Sequence, residues 1–140
     1  MPLCTGRVAV VLVDTSVWIE LFRKSPRAPF DQLVDFDDVV TCLPVIQEVL
    51  QGFREERAFQ LARDAMHALP VVESPLSSGI FDEAVGLYRA ARRAGLTVRS
   101  GTDCLIAACA VRHGLELLHH DRDYDVIARV SPLQVRRIAV

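Results

Sequence analysis

The sequence predicts one α/β domain, in which a mostly parallel sheet of four or five strands carries helices on both faces. The 140 residues are enough for one core, and a content of 51% hydrophobic and 24% charged residues excludes a disordered chain. Short apolar segments alternate with amphipathic ones, as in parallel sheets with helical crossovers. Residues 8–13, VAVVLV, are apolar without alternation, which is typical of a strand buried on both faces.

The first half of the chain contains three predicted strands and four predicted helices. Residues 1–7 are expected to form a tail, and the domain is expected to span residues 8–140. Ser16 is expected to cap the first helix, and Pro44 fits the first turn of a later one. The strands are expected at residues 8–13, 39–43 and 70–72, and the helices at residues 16–24, 30–36, 45–53 and 55–69.

The second half of the chain continues the alternation. Pro75, Ser77 and Ser78 open a long helix that runs to about residue 94, where Gly95 ends it. The most apolar helix follows at residues 103–113 and ends before Gly114. A strand is expected at residues 115–119, a helix at residues 124–130 and a last strand near residues 135–139.

Composition excludes several classes of protein. The net charge of −2 gives no overall signal for nucleic-acid binding, so any such binding must come from local patches. No apolar stretch has membrane-spanning length and the first strand lacks the features of a signal peptide, so a cytoplasmic protein is expected. The four cysteines include no CxxC pair, which favours buried thiols over a zinc site or disulfides.

Four acidic residues occupy unusual places in this pattern. Asp14 and Asp121 each follow a strand, and the carboxyl ends of strands form the ligand crevice of open α/β sheets. Asp103 begins the apolar helix, and Glu48 lies among inward-facing apolar residues. In isolation, Asp14 is equally explained as a helix cap and Asp103 as an acid favoured by the helix dipole. Glu48 is harder to explain in this way, because an unpaired buried carboxylate is costly.

Four carboxylates brought to one edge of a sheet would repel one another. A hard divalent cation bound by oxygen ligands removes this repulsion, and Mg²⁺, with Mn²⁺ as a substitute, is the natural choice. One or two such ions would polarise a phosphate and activate water for in-line hydrolysis. The predicted site consists of Asp14, Glu48, Asp103 and Asp121.

The four acids and their surroundings resemble the PIN domain, and in particular the VapC toxins of bacterial VapBC toxin–antitoxin pairs. The segments that carry the resemblance are LVDTSVWIE, VIQEVLQG, TDCLIAACAVRHG and LLHHDRDYDVIA, and it extends over residues 10–140. It implies a PIN-like fold and a Mg²⁺-dependent endoribonuclease that cuts structured RNA, namely tRNA or rRNA loops. It also implies a VapB-like antitoxin that occupies the site and its flanking groove, and a homodimer.

The resemblance also assigns roles to individual residues. It implies that the four acids hold the metal and carry catalysis. Asp123 either binds a second ion or only caps the next helix. Thr15 and Thr102 match hydroxyl positions beside the acids, which implies supporting roles for both.

An arginine-rich helix face suggests an RNA contact. The residues have one-face helical spacing or lie just after the helix, and no acid interrupts them between Glu83 and Asp103. The hypothesis is that they bind RNA phosphates around the acidic site, and the alternative is a solvated helix face. They are Arg89, Arg92, Arg93 and Arg99.

The first helix carries more apolar surface than one core face needs. Trp18, Leu21 and Phe22 lie on one of its sides. A groove for an antitoxin helix is the functional interpretation, and core packing is the alternative.

Other function classes compete with the nuclease. A response-regulator receiver needs an acidic pair before its aspartate and a lysine after its fifth strand, but the only lysine is Lys24. A phosphatase of the haloacid dehalogenase type needs a second Asp where this chain has Ser16. The remaining alternative is a regulatory module that binds metal and RNA without cleavage, and turnover would discriminate the two.

Overall fold

The computed structural model describes residues 10–23 and 29–139, and in these ranges it shows five strands and seven helices in the predicted order. The predicted tail lies outside the described residues, so the domain boundary at residue 8 stays a prediction. The strands are β1 (Val11–Val13), β2 (Val39–Cys42), β3 (Val71–Val72), β4 (Glu116–His119) and β5 (Gln134–Arg137). The helices are α1 (Thr15–Leu21), α2 (Phe30–Leu33), α3 (Leu43–Leu50), α4 (Glu56–His67), α5 (Ser78–Arg93), α6 (Gly101–Arg112) and α7 (Arg122–Arg129).

The sheet is parallel throughout and has the order β3-β2-β1-β4-β5, which confirms the predicted fold class. The chain moves from β1 through β2 to β3 in one direction, and then returns past β1 to β4 and β5. Because such crossovers are right-handed, α1 to α4 cover one face of the sheet and α5 to α7 the other. Most of the packing agrees, since α3 contacts α1 and α4, and α5, α6 and α7 contact one another; α3 also contacts α6.

The centre of the sheet is mainly apolar, with the polar side chains of Thr41 and His119 also buried there. Leu12 and Val13 of β1, and Leu117 and Leu118 of β4, have no exposed surface. Helix α6 is buried along most of its length, because it packs between the sheet and α5. Its N-terminal turn therefore points toward the edge at which β1 and β4 end.

Two local predictions need correction. Asp14, not Ser16, is the N-cap of α1: its backbone is extended and its carboxylate accepts the Ser16 N–H. The helix predicted at residues 30–36 is only the four-residue α2, which ends at Leu33, and a separate 3₁₀ turn follows at Phe36–Asp38. Phe30 is buried and keeps α2 on the core, while the extended backbone of Val34 interrupts the helix.

The burial of the described cysteines and the lengths of the described helices agree with the predictions made from the sequence. Cys42, Cys104 and Cys109 are buried and free, and Cys4 lies outside the described residues. Within residues 10–23 and 29–139, no helix combines the length and the apolar character needed to cross a membrane.

The adjacent strands β1 and β4 define a crevice at the carboxyl edge of the sheet. Their following helices, α1 and α7, leave on opposite faces, which is the arrangement that opens a ligand site in parallel sheets. The two strand ends stay in contact, because the Asp14 N–H donates to the Leu118 carbonyl at 2.9 Å. Any group that follows β1 or β4 therefore faces this crevice.

Candidate functional site

Asp14 is both a helix cap and a member of the crevice. It is 3% exposed and follows β1 directly. Its Oδ2 accepts hydrogen bonds from Ser16 N at 3.0 Å and from Ser16 Oγ at 2.6 Å. Its Oδ1 accepts a 2.6 Å hydrogen bond from the hydroxyl of Tyr124, which lies on α7. The interpretation of Asp14 as a helix cap is therefore confirmed, and its role as a site residue stays a prediction.

Asp103 is a buried acid with one unsatisfied oxygen. It lies in the first turn of α6, its Oδ1 is 3.1 Å from the Tyr124 hydroxyl, and its Oδ2 has no hydrogen-bond partner among the described residues. Burial, the Asp123 carboxyl and the charge of Asp14 raise the pKa of Asp103 to about 8. A buried acceptor without a partner is costly, so the free oxygen needs an explanation beyond stability.

Glu48 joins the crevice from α3. Its Oε1 accepts a hydrogen bond from the Thr15 hydroxyl at 3.0 Å, so one of the two predicted supporting hydroxyls does contact an acid. Burial raises the pKa of Glu48, the Thr15 hydrogen bond opposes this change, and the nearby charges of Asp14 and Asp121 raise it further. Thr102 instead lines a groove of about 360 Å³ between α5 and α6, together with Phe81.

Asp121 and Asp123 form the other side of the crevice and have different environments. Asp121 is the N-cap of α7 and accepts the Asp123 N–H at 2.9 Å, so Asp123 is not the cap of this helix. Asp123 is 1% exposed and accepts hydrogen bonds from Arg99 N at 3.1 Å, Ser100 N at 3.2 Å and Arg99 Nε at 3.3 Å. Burial acts to raise the pKa of Asp123, but the neighbouring Asp103 carboxyl and the hydrogen bonds from Arg99 outweigh burial and lower it.

These acids suit a hard cation. One oxygen from each of Asp103, Asp121 and Asp123 lies within 4.8 Å of the others. Asp14 adjoins this group through the Tyr124 hydroxyl that it shares with Asp103. The donor set contains only oxygen atoms, which is the set that Mg²⁺ and Mn²⁺ prefer, and a cation would satisfy the free oxygen of Asp103. The residues present therefore fit a divalent metal.

The predicted arginines fall into two groups. Arg89, Arg92 and Arg93 are exposed and together line a surface pocket of about 310 Å³ at the end of α5. This end of α5 adjoins the start of α6, since Tyr88 and Gly101 line one groove. Arg99 is different, because its guanidinium already contacts Asp121 at 3.4 Å and Asp123 at 3.3 Å.

The aromatic side of α1 is largely internal. Trp18 is 4% exposed, its Nε1 donates to the Val13 carbonyl at 3.1 Å, and its ring packs on Phe22 and Phe30. Leu21 is half-buried and Phe22 is 38% exposed. Of the three residues predicted to form a partner groove, Trp18 therefore serves the core, and the other two reach the surface.

Two contributors to the site were missed by sequence reasoning. Tyr124 directly follows the second acid of the pair in DRDYD, but an aromatic residue on an amphipathic helix indicates core packing. Ser16 was interpreted only as a cap, whereas its hydroxyl donates to Asp14 and accepts the His120 N–H at 2.9 Å, which ties α1 to the loop after β4. Only the folded chain brings these partners together, so no local pattern signals them.

Comparison with known proteins gives consistent matches. The family model described as PIN domain matches residues 11–130, a range that contains all five crevice acids. Ribonuclease VapC11 of Mycobacterium tuberculosis is 39% identical over 131 residues, which cover 89% of this chain and 96% of that protein.

Solved structures show the same fold at low sequence identity. A DNA-bound VapBC from Salmonella typhimurium matches with a TM-score of 0.75 and 15% identity, covering 93% of this chain and 98% of that one. VapC20 of Mycobacterium tuberculosis, described as a sarcin–ricin loop cleaving toxin, matches with a TM-score of 0.64 and 17% identity, covering 89% and 98%.

Proposed function

Since the chain belongs to the PIN-domain family, and within it to the VapC ribonucleases, we propose that it is a Mg²⁺-dependent endoribonuclease toxin neutralised by a cognate VapB-like antitoxin. The observation that carries the metal dependence is the free Oδ2 of Asp103, a buried oxygen without a partner in a crevice of carboxylates. Family membership supports the ribonuclease activity, and Mn²⁺ is expected to substitute for Mg²⁺.

In this proposal, the side chains of the crevice either bind the metal or orient the residues that bind it. Bound Mg²⁺ would polarise the scissile phosphate and activate the attacking water, and the products would carry 5′-phosphate and 3′-hydroxyl ends. Thr15 orients Glu48 through its hydroxyl, and Ser16 and Tyr124 orient Asp14. The resemblance gives the ligands as Asp14, Glu48, Asp103 and Asp121, and the oxygens that already lie within 4.8 Å of one another are those of Asp103, Asp121 and Asp123.

The substrate is proposed to be a structured RNA, a tRNA or rRNA loop. The sarcin–ricin loop named for VapC20 is an example from a protein with the same fold. Unpaired loop bases are the parts of RNA that proteins read specifically. We propose that the protein acts in the cytoplasm, where such RNA is found.

Mapping of cleavage sites tests the proposal. Protein freed of antitoxin would be incubated with total RNA and Mg²⁺ or Mn²⁺, and new 5′ ends would be sequenced. A few discrete cuts are expected, and they should vanish with a chelator and with Asp103→Asn. Intact RNA in the presence of demonstrated metal binding would instead support the alternative, a regulatory module that binds metal and RNA without cleavage.

The arginines at the end of α5 are proposed to bind RNA phosphates. The double variant Arg92→Glu and Arg93→Glu is expected to weaken RNA affinity and to reduce the slope of log affinity against log salt concentration by about 1 to 2. Fluorescence anisotropy with a chelator present measures binding without cleavage. The matched control is Arg57→Glu with Arg63→Glu on α4, where the arginines are also exposed. Equal slopes for both double variants would identify the α5 arginines as a solvated face.

The antitoxin is proposed to contact the surface of α1. Phe22→Ser is expected to weaken antitoxin binding about tenfold or more, because partly exposed aromatic anchors are typical hot spots. Calorimetry measures the affinity, and thermal denaturation separates it from lost packing on Trp18. Leu61→Ser is the control, since Leu61 is 63% exposed on α4. Equal losses for both variants would contradict the assignment.

A homodimer is also proposed, from the family. Exposed apolar side chains of α5, Phe81 and Val85, lie along the groove between α5 and α6 and offer a surface for it. Sedimentation velocity of the antitoxin-free protein tests this, and a monomer at micromolar concentration would contradict it.

A further inference from the structure

Tyr124 is a buried aromatic residue whose hydroxyl lies within hydrogen-bond distance of the carboxyl groups of two site acids. Its ring is fully buried, and its centroid lies 5.2 Å from that of the buried His119. Its hydroxyl lies 2.6 Å from Asp14 Oδ1 and 3.1 Å from Asp103 Oδ1. The hydroxyl therefore joins the end of β1 to the first turn of α6, two elements that meet only in the folded protein.

We propose that Tyr124 is a positioning residue of the metal site, whose hydroxyl holds the carboxyl groups of Asp14 and Asp103 in the orientation that a divalent cation needs. The inference rests on the proposed function for its biological meaning. It concerns a residue outside the acid set, acting through the two acids that it contacts.

The hydrogen-bond geometry shows what the hydroxyl contributes. Asp14 is held on both oxygens, because Ser16 donates to its Oδ2 and Tyr124 to its Oδ1. Asp103 contacts the hydroxyl through Oδ1 alone, which leaves Oδ2 as its free oxygen. Without the hydroxyl, Oδ1 of Asp103 would lose its only hydrogen bond with a hydroxyl or N–H group among the described residues. The hydroxyl thus selects the oxygen that faces the cation.

A purely structural tyrosine would not need this arrangement. A buried hydroxyl requires one acceptor, which a backbone carbonyl can supply. Here it lies between two carboxylates, which repel each other when both are charged. A cation between or beside them removes that repulsion, and partners that orient metal-binding carboxylates typically affect metal affinity about 10–100-fold.

The first test measures metal binding in the absence of RNA. Tyr124→Phe keeps the ring and removes the hydroxyl, and calorimetry with Mn²⁺ is expected to show affinity weakened about 10–100-fold. Tyr88→Phe is the matched control, since Tyr88 is 40% exposed and is the only other tyrosine in the sequence. At saturating Mn²⁺ the cleavage rate of Tyr124→Phe should return to within several-fold of wild type, because the acids themselves are intact. Unchanged Mn²⁺ affinity would overturn the proposal.

The second test needs no substitution at Tyr124 and decides the matter if that variant does not fold. Protein labelled with 3-fluorotyrosine gives two ¹⁹F resonances, and the Tyr88→Phe variant leaves only that of Tyr124. Saturating Mg²⁺ is expected to shift this resonance, with a midpoint equal to the calorimetric dissociation constant. A resonance that does not respond to bound Mg²⁺ would overturn the proposal.

The outcomes also separate this inference from the proposed function. If the wild type binds Mn²⁺ tightly and Tyr124→Phe weakly, the positioning role stands whether or not RNA is cleaved. If the wild type cleaves RNA with Mg²⁺ and Tyr124→Phe binds metal equally well, the function stands and the positioning role fails. A wild type that binds neither ion would overturn both.

Discussion

Asp103→Asn is expected to lower the rate of RNA cleavage by more than about 100-fold, since even partners that only orient metal ligands typically contribute about 10–100-fold. Asparagine has the shape of a protonated aspartic acid, so the buried side chain keeps its volume and its contact with Tyr124. It loses the negative charge that a divalent cation requires. Initial rates on a cleaved RNA oligonucleotide, at several Mg²⁺ concentrations, give the measurement.

The control is Asp82→Asn, which makes the same change at an exposed position of α5. It should cleave at the wild-type rate. Residual cleavage above about 10% in Asp103→Asn would show that this carboxylate is dispensable, and the metal site would then have to be sought elsewhere in the crevice.

The same variant should change how stability depends on pH. Because the pKa of Asp103 is raised from 3.8 to about 8 in the metal-free fold, the folded state holds a proton that the unfolded state releases. The contribution of this proton to the free energy of unfolding is complete below about pH 4 and is lost as the pH rises through about 8. Chemical denaturation of metal-free wild type and Asp103→Asn should therefore give free energies of unfolding whose difference changes over that range. Mg²⁺ competes with this proton, so its apparent affinity for the wild type should rise with pH up to about 8. Parallel stability curves would show that Asp103 is ionised without metal.

Asp123→Ala is expected to lower the free energy of unfolding by about 2–4 kcal/mol, because it leaves two backbone N–H groups without their acceptor. These groups belong to Arg99 and Ser100, which lead into α6. The Arg99 guanidinium adds little, since it is 61% exposed and water can solvate it. Urea denaturation measures the change, with Asp64→Ala on the exposed face of α4 as the control.

The result would also define the role of Asp123 at the crevice. A loss of stability together with weaker Mg²⁺ binding would fit a carboxylate that orders the start of α6 and so places Asp103. A loss below about 0.5 kcal/mol, the range of ordinary surface substitutions, would contradict the structural role.

The fold was predictable because its signals are local. An uninterrupted apolar segment followed by a capping acid is visible in the sequence of residues 8–14, and Gly95 and Gly114 mark helix ends by their positive φ angles. Signals for strands and helices alternate along the chain, which implies a parallel sheet. A parallel sheet in turn brings the ends of β1 and β4 to one edge.

The contacts of the site were less predictable, because they depend on packing between distant segments. Arg99 was assigned to RNA from its charge, but the structure places it against Asp121 and Asp123, whose positions depend on α7. Tyr124 has the spacing of a core residue and is one, yet its hydroxyl contacts two acids. A sequence pattern can show that a ring is buried, but not which polar atoms its hydroxyl will contact.

During synthesis, the ribosome delivers the two halves of the crevice far apart in time. β1 is made early and has a partner on only one side until β4, near the end of the chain, is available to pair with it. A chain terminated before residue 116 would carry Asp14, Glu48 and Asp103 but could not assemble the edge that joins them to Asp121. If the protein is the proposed nuclease, truncated products would therefore lack activity, and activity would first arise in a nearly finished polypeptide.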